Sequence, residues 1–110
     1  MYQFSKAQRE AVAVICRQFG VQRVDMFGSA STEEFDPRRS DIDFIVEFSP
    51  GSDLGPWMCR WFELETALTE ALGRRVDIVM GVALRNPWFR SQAAKTMVPI
   101  YHASEESQVA

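Results

Sequence analysis

The sequence predicts an α+β fold: one small mixed β-sheet with helices packed on one face. Three observations lead there. Apolar residues recur at helical spacing near residues 5–19, 56–72 and after 87. Shorter runs at 21–27, 41–48 and 75–80 alternate with period two. Their order along the chain is helix, strand, strand, helix, strand, helix, with a short last strand from Val98 to Tyr101. The 110 residues and 46% apolar content suit one domain with one core. That domain is expected over residues 1–103, and the small, polar segment 104–110 is expected to be a disordered tail.

Each element has its own local reason. Ser5 can cap the first helix, with Gln8 as capping-box partner, and Gly20 is a natural stop after Phe19. The strand Val21–Phe27 exits at Gly28, which permits a sharp turn. Ser31 and Glu34 have capping-box spacing, so a helical turn is expected just after Gly28-Ser29, with its free N–H groups offering an anion site. Asp36-Pro37 marks a loop. In the strand Asp41–Phe48, Ile42, Phe44, Val46 and Phe48 are assigned to the core; Asp41, Asp43, Ile45 and Glu47 take the other face. Pro56 fits the first turn of a second helix, whose stripe Trp57, Trp61, Leu64, Leu68 and Leu72 is read as core. Val76, Ile78 and Met80 alternate with Asp77 in the third strand, and Asn86-Pro87 starts a third helix. Trp88 and Phe89 there suit either core or a partner surface; Tyr101 and His102 are taken as structural.

Composition excludes several classes. The net charge of −3 and the lack of a basic run give no footprint for direct nucleic-acid binding. No segment has the apolar length to span a membrane, and the N-terminus lacks a signal-peptide pattern. Cys16 and Cys59 read as two reduced thiols of a cytoplasmic protein. No P-loop or dinucleotide Gly pattern is present.

Three acids stand in apolar strands and need an explanation. Asp41 and Asp43 point the same way, about 6.6 Å apart along the strand. If the strand carrying Asp77 pairs beside theirs, three carboxylates share one surface and repel. On an edge strand they would be ordinary solvated charges. Divalent cations would compensate the repulsion instead. Oxygen-only donors suit Mg²⁺ or Mn²⁺, and two ions about 3.5–4 Å apart serve in-line displacement at phosphorus. Gly28, Ser29 and the following turn would hold a triphosphate, although Ser29 also suits an ordinary turn.

This set (an apolar residue, Gly28-Ser29, a loop, Asp41-x-Asp43, then Asp77) resembles the DNA polymerase β-type nucleotidyltransferase superfamily. More narrowly it resembles the minimal nucleotidyltransferases. The similarity runs from the first helix to Ile100-Tyr101. It implies a palm-like fold. It implies Gly28 and Ser29 as nucleotide contacts, with Arg39 as a candidate third in place of the family's loop Arg, and Asp41, Asp43 and Asp77 as catalytic residues binding two Mg²⁺. It implies ATP as substrate and a HEPN-type toxin as partner, with AMP transferred to a tyrosine of that toxin by an antitoxin. The family usually carries Arg soon after Gly-Ser; here Ala30-Ser31-Thr32-Glu33-Glu34 follows, and Arg38 and Arg39 come later, as phosphate contacts or as solvated loop charges. Two other readings stay open: a non-catalytic module that neutralises a partner by occlusion, and transfer to a small molecule.

Overall fold

A computed structural model describes residues 2–38 and 41–103. Arg39, expected at the nucleotide, and the expected tail 104–110 lie outside the described residues. The elements are α1 (Lys6–Phe19), β1 (Val21–Phe27), β2 (Ile42–Phe48), α2 (Cys59–Leu72), β3 (Val76–Met80), α3 (Pro87–Ala94) and β4 (Val98–His102). The sheet order is β3-β2-β1-β4, with β1 antiparallel to both β2 and β4, and β2 parallel to β3. This is the mixed α+β sheet expected from the sequence.

The helix ends follow the predicted chemistry. The Ser5 hydroxyl accepts from Gln8 N at 3.0 Å and the Gln8 side chain accepts from Ser5 N at 3.0 Å, closing the capping box. Asn86 Oδ1 accepts from the amides of Trp88 and Phe89, and Pro87 occupies the first helical position, where a missing N–H costs nothing.

The main core lies between the sheet and the α1–α2 layer. Val12 and Cys16 of α1 and Leu64, Leu68 and Leu72 of α2 meet Val24, Met26, Ile42, Phe44, Val46 and Val76. Fully burying one such aliphatic side chain contributes about 1.5–3 kcal/mol. α3 lies on the opposite side of the sheet, where the Phe27 and Phe89 rings meet edge to face at 5.8 Å. The turn Gly81–Arg85 approaches β2, with Gly81 against Glu47, and Ile45 is buried although it alternates with the core residues.

Two expectations need correction. Trp57 is not core: it is 95% exposed. Pro56 begins a separate 3-10 turn, Pro56–Met58, and both Trp57 (φ +56°) and Met58 (φ +57°) adopt left-handed backbone, so α2 starts only at Cys59. The buried stripe therefore begins at Leu64, with Trp61 half-buried against Phe48. The Ser31–Glu34 box is also absent. The helical turn starts earlier, at Gly28, and places Ser31 at its end with a buried hydroxyl that has no partner among the described residues.

Burial sets the expected stability effects. Leu68→Ala should lower the unfolding free energy by about 2–5 kcal/mol, whereas Trp57→Ala should change it by no more than about 0.5 kcal/mol. Urea denaturation of the two variants checks the pair.

Candidate active site

The parallel register of β2 and β3 sets the site. Ile42 lies beside Val76, Asp43 beside Asp77 and Phe44 beside Ile78. On the other flank Phe27 pairs with Asp43. Strand alternation therefore puts the Asp43 and Asp77 carboxylates side by side on the face away from the α1–α2 core. Asp41 lies one residue before β2, and the bond from Ile42 N to Arg75 O (3.1 Å) holds this end of the two strands together.

Among the described residues one cation reaches this group. Arg75 Nε lies 3.5 Å from Asp77 Oδ1 and 3.8 Å from Asp41 Oδ2. Its side chain is largely exposed, so each pair contributes little to stability. Asp43 makes no such pair among the described residues. Its carboxyl titrates above the ordinary carboxylate range, first because burial penalises the charged form and then because Asp77 and Asp41 repel it.

Gly28 sits against Asp43. Its φ of +76° is left-handed, and a Cβ there would lie 3.0 Å from Asp43 Oδ2. The 3-10 turn Gly28–Ser31 is held from three sides. Gly28 N donates to Thr96 Oγ1 at 2.9 Å, Tyr2 N donates to Ala30 O at 2.7 Å, and Thr32 Oγ1 donates to Ser29 O at 3.0 Å. The Ser29 hydroxyl has no protein partner among the described residues. Gly28 and Ser29 line a cavity of about 410 Å³ with Phe27, Trp88, Phe89 and Lys95. That volume is within the range of small-ligand sites. Trp88 is mostly exposed and forms its rim.

The oxygen-only donors Asp41, Asp43 and Asp77 suit a hard divalent cation. Among the described residues, however, no three acidic, His or Cys side chains converge on one metal-sized point. Arg75 lies against two of the three acids. The donor chemistry of the three carboxylates fits an ion.

The structure thus brings together Gly28, Ser29, Asp43 and Asp77, with Asp41 linked to them through Arg75. Arg38 is exposed, with its amide bonded to Asp36 Oδ1. Sequence reading missed Arg75, although it stands two residues before Asp77 and so shares its face. It also missed Thr96, whose role rests on a contact 68 residues away. Asp25 was missed too; it is 2% exposed, and its signal was an acid between the core residues Val24 and Met26.

A sequence family described as a nucleotidyltransferase domain matches residues 9–100, and the chain belongs to that family. A Methanocaldococcus jannaschii protein, MJ0128, named provisionally as a protein adenylyltransferase, is 30% identical over 90 residues, which cover 82% of this chain and 87% of the relative. A solved structure described provisionally as a minimal nucleotidyltransferase is 36% identical, covers 86% of this chain and 90% of its own, and superimposes with a TM-score of 0.67. A chain from the complex of a tri-AMPylated Shewanella oneidensis HEPN toxin with MNT antitoxin shares the fold at 23% identity and a TM-score of 0.56, covering 93% of this chain and 76% of that one. The chain is a nucleotidyltransferase-family enzyme of the minimal type.

Two outcomes follow from the geometry. Gly28→Ala combines backbone strain with a collision at Asp43 Oδ2, and should reduce nucleotide transfer by about 100-fold or more; single-turnover assays measure this. The folded chain holds the Asp43 proton more tightly than the unfolded chain does. Stability is therefore unaffected below the unfolded-state value, falls as pH rises through the window up to the raised folded-state value, and then levels off. Asp43→Asn removes that loss. Thermal melts in chelator-treated buffer should show the variant gaining on the parent across this window; a constant gap at every pH would contradict it.

Proposed function

We propose that this chain is a Mg²⁺-dependent protein adenylyltransferase, which moves AMP from ATP to a tyrosine hydroxyl of a HEPN-type toxin in the cytoplasm and so acts as its antitoxin. The observation that carries the reading is the register of Asp43 against Asp77 with Gly28 in contact with the Asp43 carboxylate. The names of the relatives, and the shared fold with a chain of an MNT antitoxin–HEPN toxin complex, support the same direction. No helix among the described residues is long and apolar enough to cross a membrane.

Each residue has a part. Asp41, Asp43 and Asp77 would hold the divalent cations. Bound there, such ions neutralise phosphate charge and lower the pKa of an attacking hydroxyl. The Ser29 hydroxyl and the amides of the 3-10 turn orient the triphosphate against the sheet. The side chain of Asp77 is 43% exposed, open to an incoming acceptor, and takes the hydroxyl proton. A bond forms between the acceptor oxygen and the α-phosphorus, the α–β phosphoanhydride bond breaks, and pyrophosphate leaves. The clustered acids repel ATP alone, so nucleotide should bind weakly after metal removal.

A second reading, neutralisation of the partner by occlusion, draws on the Arg75 bridge between Asp41 and Asp77 and on the missing Arg after Ser29. Incubation with α-labelled ATP, Mg²⁺ and a co-encoded HEPN-type protein separates the two. Label should appear on a partner tyrosine and fall at least 100-fold in Asp41→Asn and in Asp43→Asn. A stable complex that never acquires label would establish occlusion instead.

A further inference from the structure

The face that carries the acids has a second charged pocket at its far end. Along β2, Asp43, Ile45 and Glu47 follow one another on this face, and their β1 partners are Phe27, Asp25 and Arg23. On β3 the same face runs from Asp77 through Val79 to Gly81. At about 3.3 Å per residue, the level of Glu47 and Gly81 lies about 13 Å from Asp43. There a cavity of about 410 Å³ is lined by Arg23, Arg85, Arg90, Gly81, Leu84 and Met97.

Its three guanidinium groups come from β1, the Gly81–Arg85 turn and α3. Arg23 is fixed in place: its Nε lies 2.6 Å from Oδ2 of buried Asp25, whose other oxygen is 3.3 Å from His102 Nε2. Arg85 and Arg90 are exposed, and neither side chain has a hydrogen bond or ion pair among the described residues. Glu47 lies beside Gly81 and pairs with neither. In a chain of net charge −3, composition does not force cations together. Arg23 is neutralised by Asp25, so the unpaired charges among the described residues are Arg85 and Arg90; they repel across the pocket, and an anion placed between them relieves the repulsion. The planar fork of Arg matches phosphate oxygens two at a time. Leu84 and Met97 add apolar wall, and the volume suits a nucleotide-sized guest.

We propose that this pocket binds the phosphate of a nucleoside monophosphate group, either free or already esterified to an acceptor protein. The anion site stands on its own geometry; its use in holding an esterified acceptor rests on the function proposed above. In that role it would grip a nucleotidyl group already added while the next transfer takes place at the acids.

The test uses the full chain in chelator-treated buffer, where the intact acids repel nucleotide and binding beside them is weak. AMP, inorganic phosphate and adenosine are titrated while the Arg Nε–H signals are followed by NMR. AMP and phosphate should move the Arg85 and Arg90 signals and adenosine should not. Arg85→Glu with Arg90→Glu should weaken AMP binding at least 10-fold, with partial recovery in the Arg85→Lys, Arg90→Lys pair. Arg signals unmoved by millimolar AMP and phosphate would overturn the site. In a second arm, an acceptor protein carrying an AMP ester should bind at least 10-fold tighter than the unmodified acceptor, with the advantage lost in the Glu pair. Equal binding of the two acceptors would overturn the esterified source. AMP binding in a chain that never transfers label would sustain the pocket and remove the function; transfer with silent arginines would do the reverse.

Discussion

The parallel pairing of β2 with β3 is the constraint on which the site depends. Every other feature can be traced to it. A one-residue slip would turn Asp43 into the core and bring Phe44 out, because strand side chains alternate strictly. The register is held from the core side, where Ile42, Phe44 and Val46 pack with Val76 against α2. The apolar face thus fixes the position of the polar one. The energy that aligns the acids comes from hydrophobic burial, not from any attraction between them.

The acids themselves oppose the fold. Asp43 is desolvated and repelled by two neighbours, and Arg75 reaches only Asp41 and Asp77. Asp25, farther along the same face, is the contrasting case. It is more deeply buried, yet it has Arg23 on one oxygen and His102 on the other. A buried carboxylate with two partners is structural chemistry; one with no cation beside it among the described residues is a place where ligand charge can be accommodated. Among the described residues the two ends of the face therefore have opposite unpaired charge, negative at Asp43 and positive at Arg85 and Arg90.

Much of this was legible in the chain. Ser5, Gln8, Gly20, Asn86 and Pro87 announce helix ends through local hydrogen bonding, and the structure bears them out. Period-two alternation placed Asp41, Asp43 and Asp77 on one face, and the Gly28-Ser29 spacing pointed to the loop beside them. What failed was also local. Trp57 fits the helical stripe by count, but two left-handed residues before Cys59 rotate it into solvent. Ser31-Thr32-Glu33-Glu34 has a capping pattern, yet the turn starts three residues earlier because Gly28 is anchored by Thr96. Periodicity also could not show that Ile45 would be covered, since α3 and the Gly81–Arg85 turn come much later in the chain. Short-range patterns fix which side a residue faces; they carry no record of what arrives from elsewhere to meet it.

The anchors of the Gly28–Ser31 turn have a kinetic meaning. Gly28 is tied to Thr96 and Ala30 to Tyr2, so a four-residue turn takes its shape from segments near both ends of the described chain. Its conformation is settled by long loop closures, which are entropically slow. The turn beside Asp43 therefore takes shape only with the closures that also bring Tyr2 and Tyr101 onto the core, so its final form and the completion of the core are one event.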